Sequence, residues 1–155
     1  MNTHFPSGDS LVPYELELHY VRPLFDTQQH IGNSKDAVAL LRSYTHPKRI
    51  SLKEFFWVIL LTQAHRVIGL SEVGSGNSQS VISSTKEILQ LALLSNASAI
   101  ILAHNHPSGN LKASQTDIAF TTKIRTLSKM MEVNVLDHVI LTAESYTSLA
   151  DTQQL

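Results

Sequence analysis

Two histidines, a serine and an aspartate stand close together in the stretch ILAHNHPSGNLKASQTDIA, residues 101–119. On an extended strand, side chains two residues apart point to the same side, so His104 and His106 can address one point while Asn105 faces away. Asp117 follows from the first turn of a helix, and two imidazoles and a carboxylate could then converge at the carboxyl end of a strand, where α/β sheets commonly place their sites. That donor set suits a borderline-soft ion such as zinc and leaves the fourth tetrahedral position to water, the arrangement of a catalytic rather than a structural site. The same residues also read as an ordinary strand, turn and helix cap. Pro107-Ser108-Gly109 is a turn sequence, and Ser114-x-x-Asp117 has capping-box spacing, in which Asp117 would point back at its own helix. The Ser114 hydroxyl could cap the helix or donate to a developing oxyanion, two roles that compete for one geometry. Spacing alone leaves both readings open.

Metal-assisted hydrolysis needs one further group, a base for the attacking water, and a partly buried carboxylate is the usual supplier. Glu72 stands where a strand runs into Gly74-Ser75-Gly76, from which a side chain could reach a neighbouring strand end; the alternative is a solvated edge glutamate. Glu87 is explained by capping, and Glu54, Glu132 and Glu144 have no comparable placement.

Certain elements must position these groups. Residues 1–13, with Pro6, Gly8 and Pro13, read as a loose arm, and Tyr14 to Tyr20 alternates as a strand. A short helix is expected over 35–44, with Asn33 and Asp36 as a capping pair, broken by THPKR. EFFWVILLTQAHRVIGLSEVGSG reads as two strands joined at 63–65, the first so apolar that it belongs inside a sheet. Ser84-x-x-Glu87 opens an amphipathic helix over 85–94, with Ile88, Leu89, Ala92 and Leu93 on one side. Ser98 to Ala103 is a buried strand, a helix follows over 115–131 with Ile118, Ile124, Leu127 and Met131 as its stripe, and VNVLDHVILT is a further strand before a short SYTSL turn or strand. Alternation of strands and helices predicts an α/β fold, a mixed β-sheet flanked by helices.

Composition narrows the chemistry. The 155 residues, 43% hydrophobic, suffice for one core. With no cysteine, thiolate catalysis, disulfides and Cys-containing zinc sites are excluded. The formal net charge of -1 supplies no overall field for DNA or anionic lipid. Lys48, Arg49 and Lys53, and Lys123, Arg125 and Lys129, read as solvated faces. The start lacks a basic region followed by an apolar core, and no segment approaches a membrane span, so a cytoplasmic protein with no membrane partner is expected. Phe55, Phe56 and Trp57 read as core, Met130 and Met131 as packing, and Asp137 with His138 as a buried pair near the sheet end or as support for metal ligands.

EVGSG, LAHNHPSGNLKASQTD and VLDHVILTAESYTSLAD together resemble the RadC-like proteins, a branch of the JAMM or MPN-plus metalloprotease superfamily. His104, His106, Ser114 and Asp117 fit that signature's spacing without a gap, and Pro107, Ser108 and Gly109 match the fuller RadC form. The chain differs from the family pattern at Asn77 and at Ser83 to Lys86. The resemblance implies a JAB/MPN-like (cytidine-deaminase-like) α-β-α sandwich over 51–155, with 1–50 as an N-terminal extension of strand plus short helix, a short form without the helix-hairpin-helix region. It also implies one Zn2+ held by His104, His106, Asp117 and a water, Glu72 as general acid and base, and Ser114 at the oxyanion. Such enzymes cleave amide or isopeptide bonds, so a peptide or protein substrate is expected; a DNA-repair role and a metal-stabilised binding module are the alternatives.

Overall fold

The computed structural model describes residues 29–76 and 84–155. The arm at 1–13, the strand expected at Tyr14 to Tyr20 and part of the loop after Gly76 lie outside the described residues. The elements, in chain order, are α1 (Ser34–Tyr44), α2 (Pro47–Ile50), β1 (Glu54–Leu61), β2 (Val67–Gly76), α3 (Thr85–Leu94), β3 (Ala99–Asn105), α4 (Gln115–Met130), β4 (Asn134–Leu141) and β5 (Tyr146–Ser148). One sheet of order β2-β1-β3-β4-β5 results. It is mixed, as expected: β3 and β4 are parallel, joined across α4, and the other pairs are antiparallel.

Strand alternation sorts the core into two halves. Phe55, Trp57, Ile59 and Leu61 of β1 share one face with Ala99, Ile101 and Ala103 of β3, and there Ala37, Val38 and Leu41 of α1 cover them. Phe56, Val58 and Leu60 share the other face with Ile100 and Leu102, covered by Ile88 and Ala92 of α3 and Ile124 of α4. The helices begin where their caps predict, with Asn33 accepting from Asp36 N–H, Ser84 from Glu87 N–H and Ser114 from Asp117 N–H. Among the described residues no helix is long and apolar enough to cross a membrane.

Several local expectations differ. The break at His46 to Arg49 holds a turn of helix, α2, because His46 caps it and Pro47 takes the first helical position, where its missing N–H costs nothing. Gly74 to Gly76 continue β2 instead of ending it, since their backbone pairs with Glu54 to Phe56. Leu93 and Met131 are exposed, as is Met130, although Ala92 and Ser128 in the same last turns are fully buried, so the buried stripe passes beside them; Leu91 packs on the core in place of Leu93.

Asn105 is fully buried between the two histidines in sequence but faces the opposite side of the sheet. Its Oδ1 accepts from Phe55 N–H at 2.7 Å, and its Nδ2 donates to the carbonyls of Ile50 at 2.7 Å and Lys53 at 2.8 Å. The end of β3 thus grips the chain on both sides of Glu54. Truncation leaves three main-chain groups without partners, so Asn105→Ala should lower unfolding stability by roughly 2–4 kcal/mol in urea titrations. Asn105→Asp should be no better, because a carboxylate cannot donate to two carbonyls.

Candidate metal centre

Both histidines leave the carboxyl end of β3 on the α4 face of the sheet. His104 is opposite Phe56 in the β1–β3 register, and the two rings lie parallel within 3° at 5.9 Å between centroids. His106 is one step beyond the strand, where the chain turns at Pro107-Ser108-Gly109, closed by Gly109 N–H to the His106 carbonyl. Gly109 has φ +80, a left-handed conformation in which a side chain would be strained although there is open space for one. The turn brings the Asn110 carbonyl to within 2.7 Å of His106 Nδ1. A carbonyl oxygen can only accept, so Nδ1 carries the proton and Nε2 of neutral His106 presents a lone pair.

Asp117 enters from the first turn of α4. Both halves of the capping box form: Ser114 Oγ accepts from Asp117 N–H at 3.1 Å, and Asp117 Oδ2 accepts from Ser114 N–H at 2.7 Å. The capping box does not turn the carboxylate away from the histidines. The cap anchors the carboxylate while Oδ1 stands 3.4 Å from His104 Nε2 and Oδ2 stands 3.6 Å from His106 Nε2. The hydroxyl of Ser114 spends a lone pair on the cap, not its proton, so the two roles set against each other by spacing use different parts of one group.

The two Nε2 atoms are 2.9 Å apart. Donors about 2.0–2.1 Å from a tetrahedral zinc are about 3.3 Å from one another, and the distances of 2.9, 3.4 and 3.6 Å bracket that value. Among the described residues these three form the group of side chains able to hold a metal ion. The residues fit the ion in donor type and in spacing.

The local electrostatics follow from this crowding. Partial burial works against the charge on Asp117, but the adjoining His104 and His106 imidazoles overcome it, and the carboxyl is held far below the usual range. The positive end of α4 acts in the same direction. Hydrogen bonding to Asp117 raises His106 above an ordinary imidazole despite its burial.

Behind His104 lies a polar chain. His104 Nδ1 and His138 Nε2 are 2.8 Å apart, His138 Nδ1 contacts Thr121 Oγ1, and Thr121 Oγ1 donates to the Asp117 carbonyl at 2.6 Å. Complete burial, and then the neighbouring His104, keep His138 well below the ordinary imidazole value, hence neutral. The expected Asp137–His138 pair divides between the sheet faces. Asp137 accepts from Ser148 Oγ at 2.6 Å and Ala150 N–H at 3.0 Å and secures the turn after β5, whereas the His138 ring backs the histidine cluster.

Glu72 does not join this group. Counting back from Gly74, which is opposite Phe56, it would share the histidine face; a bulge between those registers sets it opposite Trp57 and turns it to the α1 face. There its carboxylate pairs with Arg49 at 3.1 Å. Glu54, which has Phe56's alternation and so faces the histidines, instead lines a cleft of about 410 Å³ with His106, Ser108, Asn110, Lys112 and Ser114. It lies near enough to His106 to favour the imidazolium. The missed signal was register: with Phe56 opposite His104 in antiparallel strands, position 54 falls beside 106.

Residues 31–155 match the model of the RadC-like JAB domain. The chain is 33% identical over 141 residues to UPF0758 protein PM1152 of Pasteurella multocida, covering 91% of this chain and 62% of that protein. It is 35% identical over 121 residues to a UPF0758 protein of Flavobacterium johnsoniae (78% and 52%), and 41% identical over 102 residues to UPF0758 protein tlr1707 of Thermosynechococcus vestitus (66% and 41%). The chain therefore spans about half the length of these curated relatives.

Proposed function

The chain belongs to the RadC-like JAB-domain family, and from that premise we propose that it is a zinc-dependent metallopeptidase hydrolysing an amide or isopeptide bond in a peptide or protein. The observation that carries this reading is the convergence of the His104, His106 and Asp117 ligand atoms beside a cleft lined by Glu54 and Ser114. His104 Nε2, His106 Nε2 and an Asp117 oxygen would hold the ion. When bound, zinc supplies Lewis acidity toward a carbonyl and lowers the pKa of water.

The chain's own groups carry the rest. Glu54 replaces Glu72 as the proposed base: its carboxylate takes a proton from the attacking water as the oxygen adds to the scissile carbonyl, and delivers it to the nitrogen as the C–N bond breaks. The Ser114 hydroxyl, its lone pair engaged by the helix, turns its proton to the oxyanion. Ser108, Asn110 and Lys112 give the cleft polar groups that suit a peptide backbone and a carboxylate-bearing side chain or terminus.

Purified protein should carry about one zinc per chain, measured by elemental analysis, and stripping the ion should lower the melting temperature. Zinc at a hundredfold excess over its Kd stabilises the folded state by about 2.7 kcal/mol. A panel of peptides, isopeptide-linked peptides and nucleic acids then tests the reaction. Zinc-dependent cleavage of amide substrates is expected; absence of zinc uptake sinks the reading, and cleavage confined to nucleic acid moves it to the repair alternative.

A further inference from the structure

A histidine ligates through one nitrogen when its proton resides on the other, so whatever fixes the proton fixes the ligand. For His106 the Asn110 carbonyl does this directly. His104 has a longer route, because its Nδ1 faces another imidazole, which can either donate or accept.

We propose that Thr121, acting through His138, sets the tautomer of His104 so that its Nε2 lone pair faces the metal. The assignment follows from counting protons. Thr121 has one hydroxyl proton, and Oγ1 stands 2.6 Å from the Asp117 carbonyl oxygen, which has none to give. That proton is therefore committed to the carbonyl, and the contact between Oγ1 and His138 Nδ1 is made by the imidazole N–H. With its proton on Nδ1, neutral His138 presents a bare Nε2, which accepts from His104 Nδ1–H at 2.8 Å. His104 is left with a lone pair on Nε2.

The reversed chain is disfavoured at its origin. If Thr121 donated to His138, its oxygen and the Asp117 carbonyl oxygen would face each other at 2.6 Å with no proton between them. Reversal would also put a proton on His104 Nε2, where it would be shared with His106 Nε2 at 2.9 Å and close the ligand position to a metal. One helix thus delivers Asp117 as a ligand and, four residues on, the hydroxyl that prepares a second ligand. Phe56 holds the arrangement laterally, with ring centroids 5.9 Å from His104 and 5.4 Å from His138.

The inference rests on the metal reading above, and its test separates the two. Long-range proton–nitrogen correlation spectra of the zinc-free wild type at about pH 8, where free imidazoles are neutral, should show the His104 proton on Nδ1. Thr121→Val removes the hydroxyl at nearly constant volume; it should move the His104 proton toward Nε2 and weaken zinc binding about 10- to 100-fold in competition with a chelating dye. Thr121→Ser should restore both. The inference is overturned by a wild-type His104 protonated on Nε2, by a valine variant that binds zinc like the wild type, or by a serine variant that behaves like valine. Should the wild type take up no zinc, the metal reading falls while the spectra still decide the tautomer.

Discussion

Glu54→Gln, prepared in its zinc form, should lose about 100- to 10,000-fold in kcat, the usual worth of a positioned general base, while keeping its zinc. Glutamine preserves shape and polarity and removes the proton acceptor, so the loss reads on proton transfer. Glu72→Gln is the matched control. It breaks a pair with Arg49 in which the two side chains are 27% and 42% exposed, and such pairs contribute about 0–1 kcal/mol. Hydrolysis within about twofold of wild type is therefore expected, since so weak a pair leaves the barrier nearly untouched. The reverse pattern, activity retained by Glu54→Gln and lost by Glu72→Gln, would return the base to β2 and require the bulge at Val73 to relax on substrate binding. Loss of zinc from Glu54→Gln would make that residue a ligand.

His106→Ala should abolish stoichiometric zinc binding without unfolding the chain. Structural zinc in small domains binds with about 10–16 kcal/mol shared among four ligands, so removing one costs roughly 2.5–4 kcal/mol, or about two to three orders of magnitude in Kd. The side chain is at the rim, while its backbone N–H stays bonded to the Leu141 carbonyl at 2.8 Å, and its loss opens no hole in either half of the core. Acid should imitate the mutation by degrees. Asp117 holds the His106 proton more tightly than water holds that of a free imidazole, so protons compete with zinc from above pH 6.5 downward. Apparent affinity should then fall about tenfold per pH unit for each proton displaced. The depressed carboxyl of Asp117 adds no competition of its own near neutrality, because it is already ionised. Isothermal titration between about pH 6 and 8 checks the slope expected from imidazole titration; a flat profile would mean that His106 is not a ligand.

The His104, His106 and Asp117 cluster was legible because its logic is local. His104 and His106 share a strand face by period two, and Asp117 is placed by the helix that Ser114 caps. The same locality made the bounds of α3 readable from Ser84 and Glu87. What escaped was everything decided between strands. Glu54 stands some fifty residues before the histidines, and its nearness to them exists only once β1 and β3 pair antiparallel in a particular register. Glu72 had the better position by sequence, yet one bulged residue reverses its face, and nothing in EVGSG announces a bulge. Adjacency suggests Asp137 and His138 as a pair, although adjacency on a strand sends side chains to opposite sides. Leu93 and Met131 keep the apolar rhythm on the exposed side of turns whose buried positions are Ala92 and Ser128.

The grip of Asn105 on the chain around Glu54 has a bearing on how such a centre survives change. The contact joins positions 50 apart in sequence, yet it sets the spacing of Glu54 and the two histidines within a single residue of each, since Asn105 is the immediate neighbour of both histidines and its partners Lys53 and Phe55 flank the glutamate. The intervening β2 strand and α3 helix are not part of that gauge. Loops there can lengthen, shorten or acquire new recognition surfaces while the reacting groups keep their spacing. The asparagine serves as an internal ruler, leaving selection free to redesign substrate preference around a centre whose dimensions are already set.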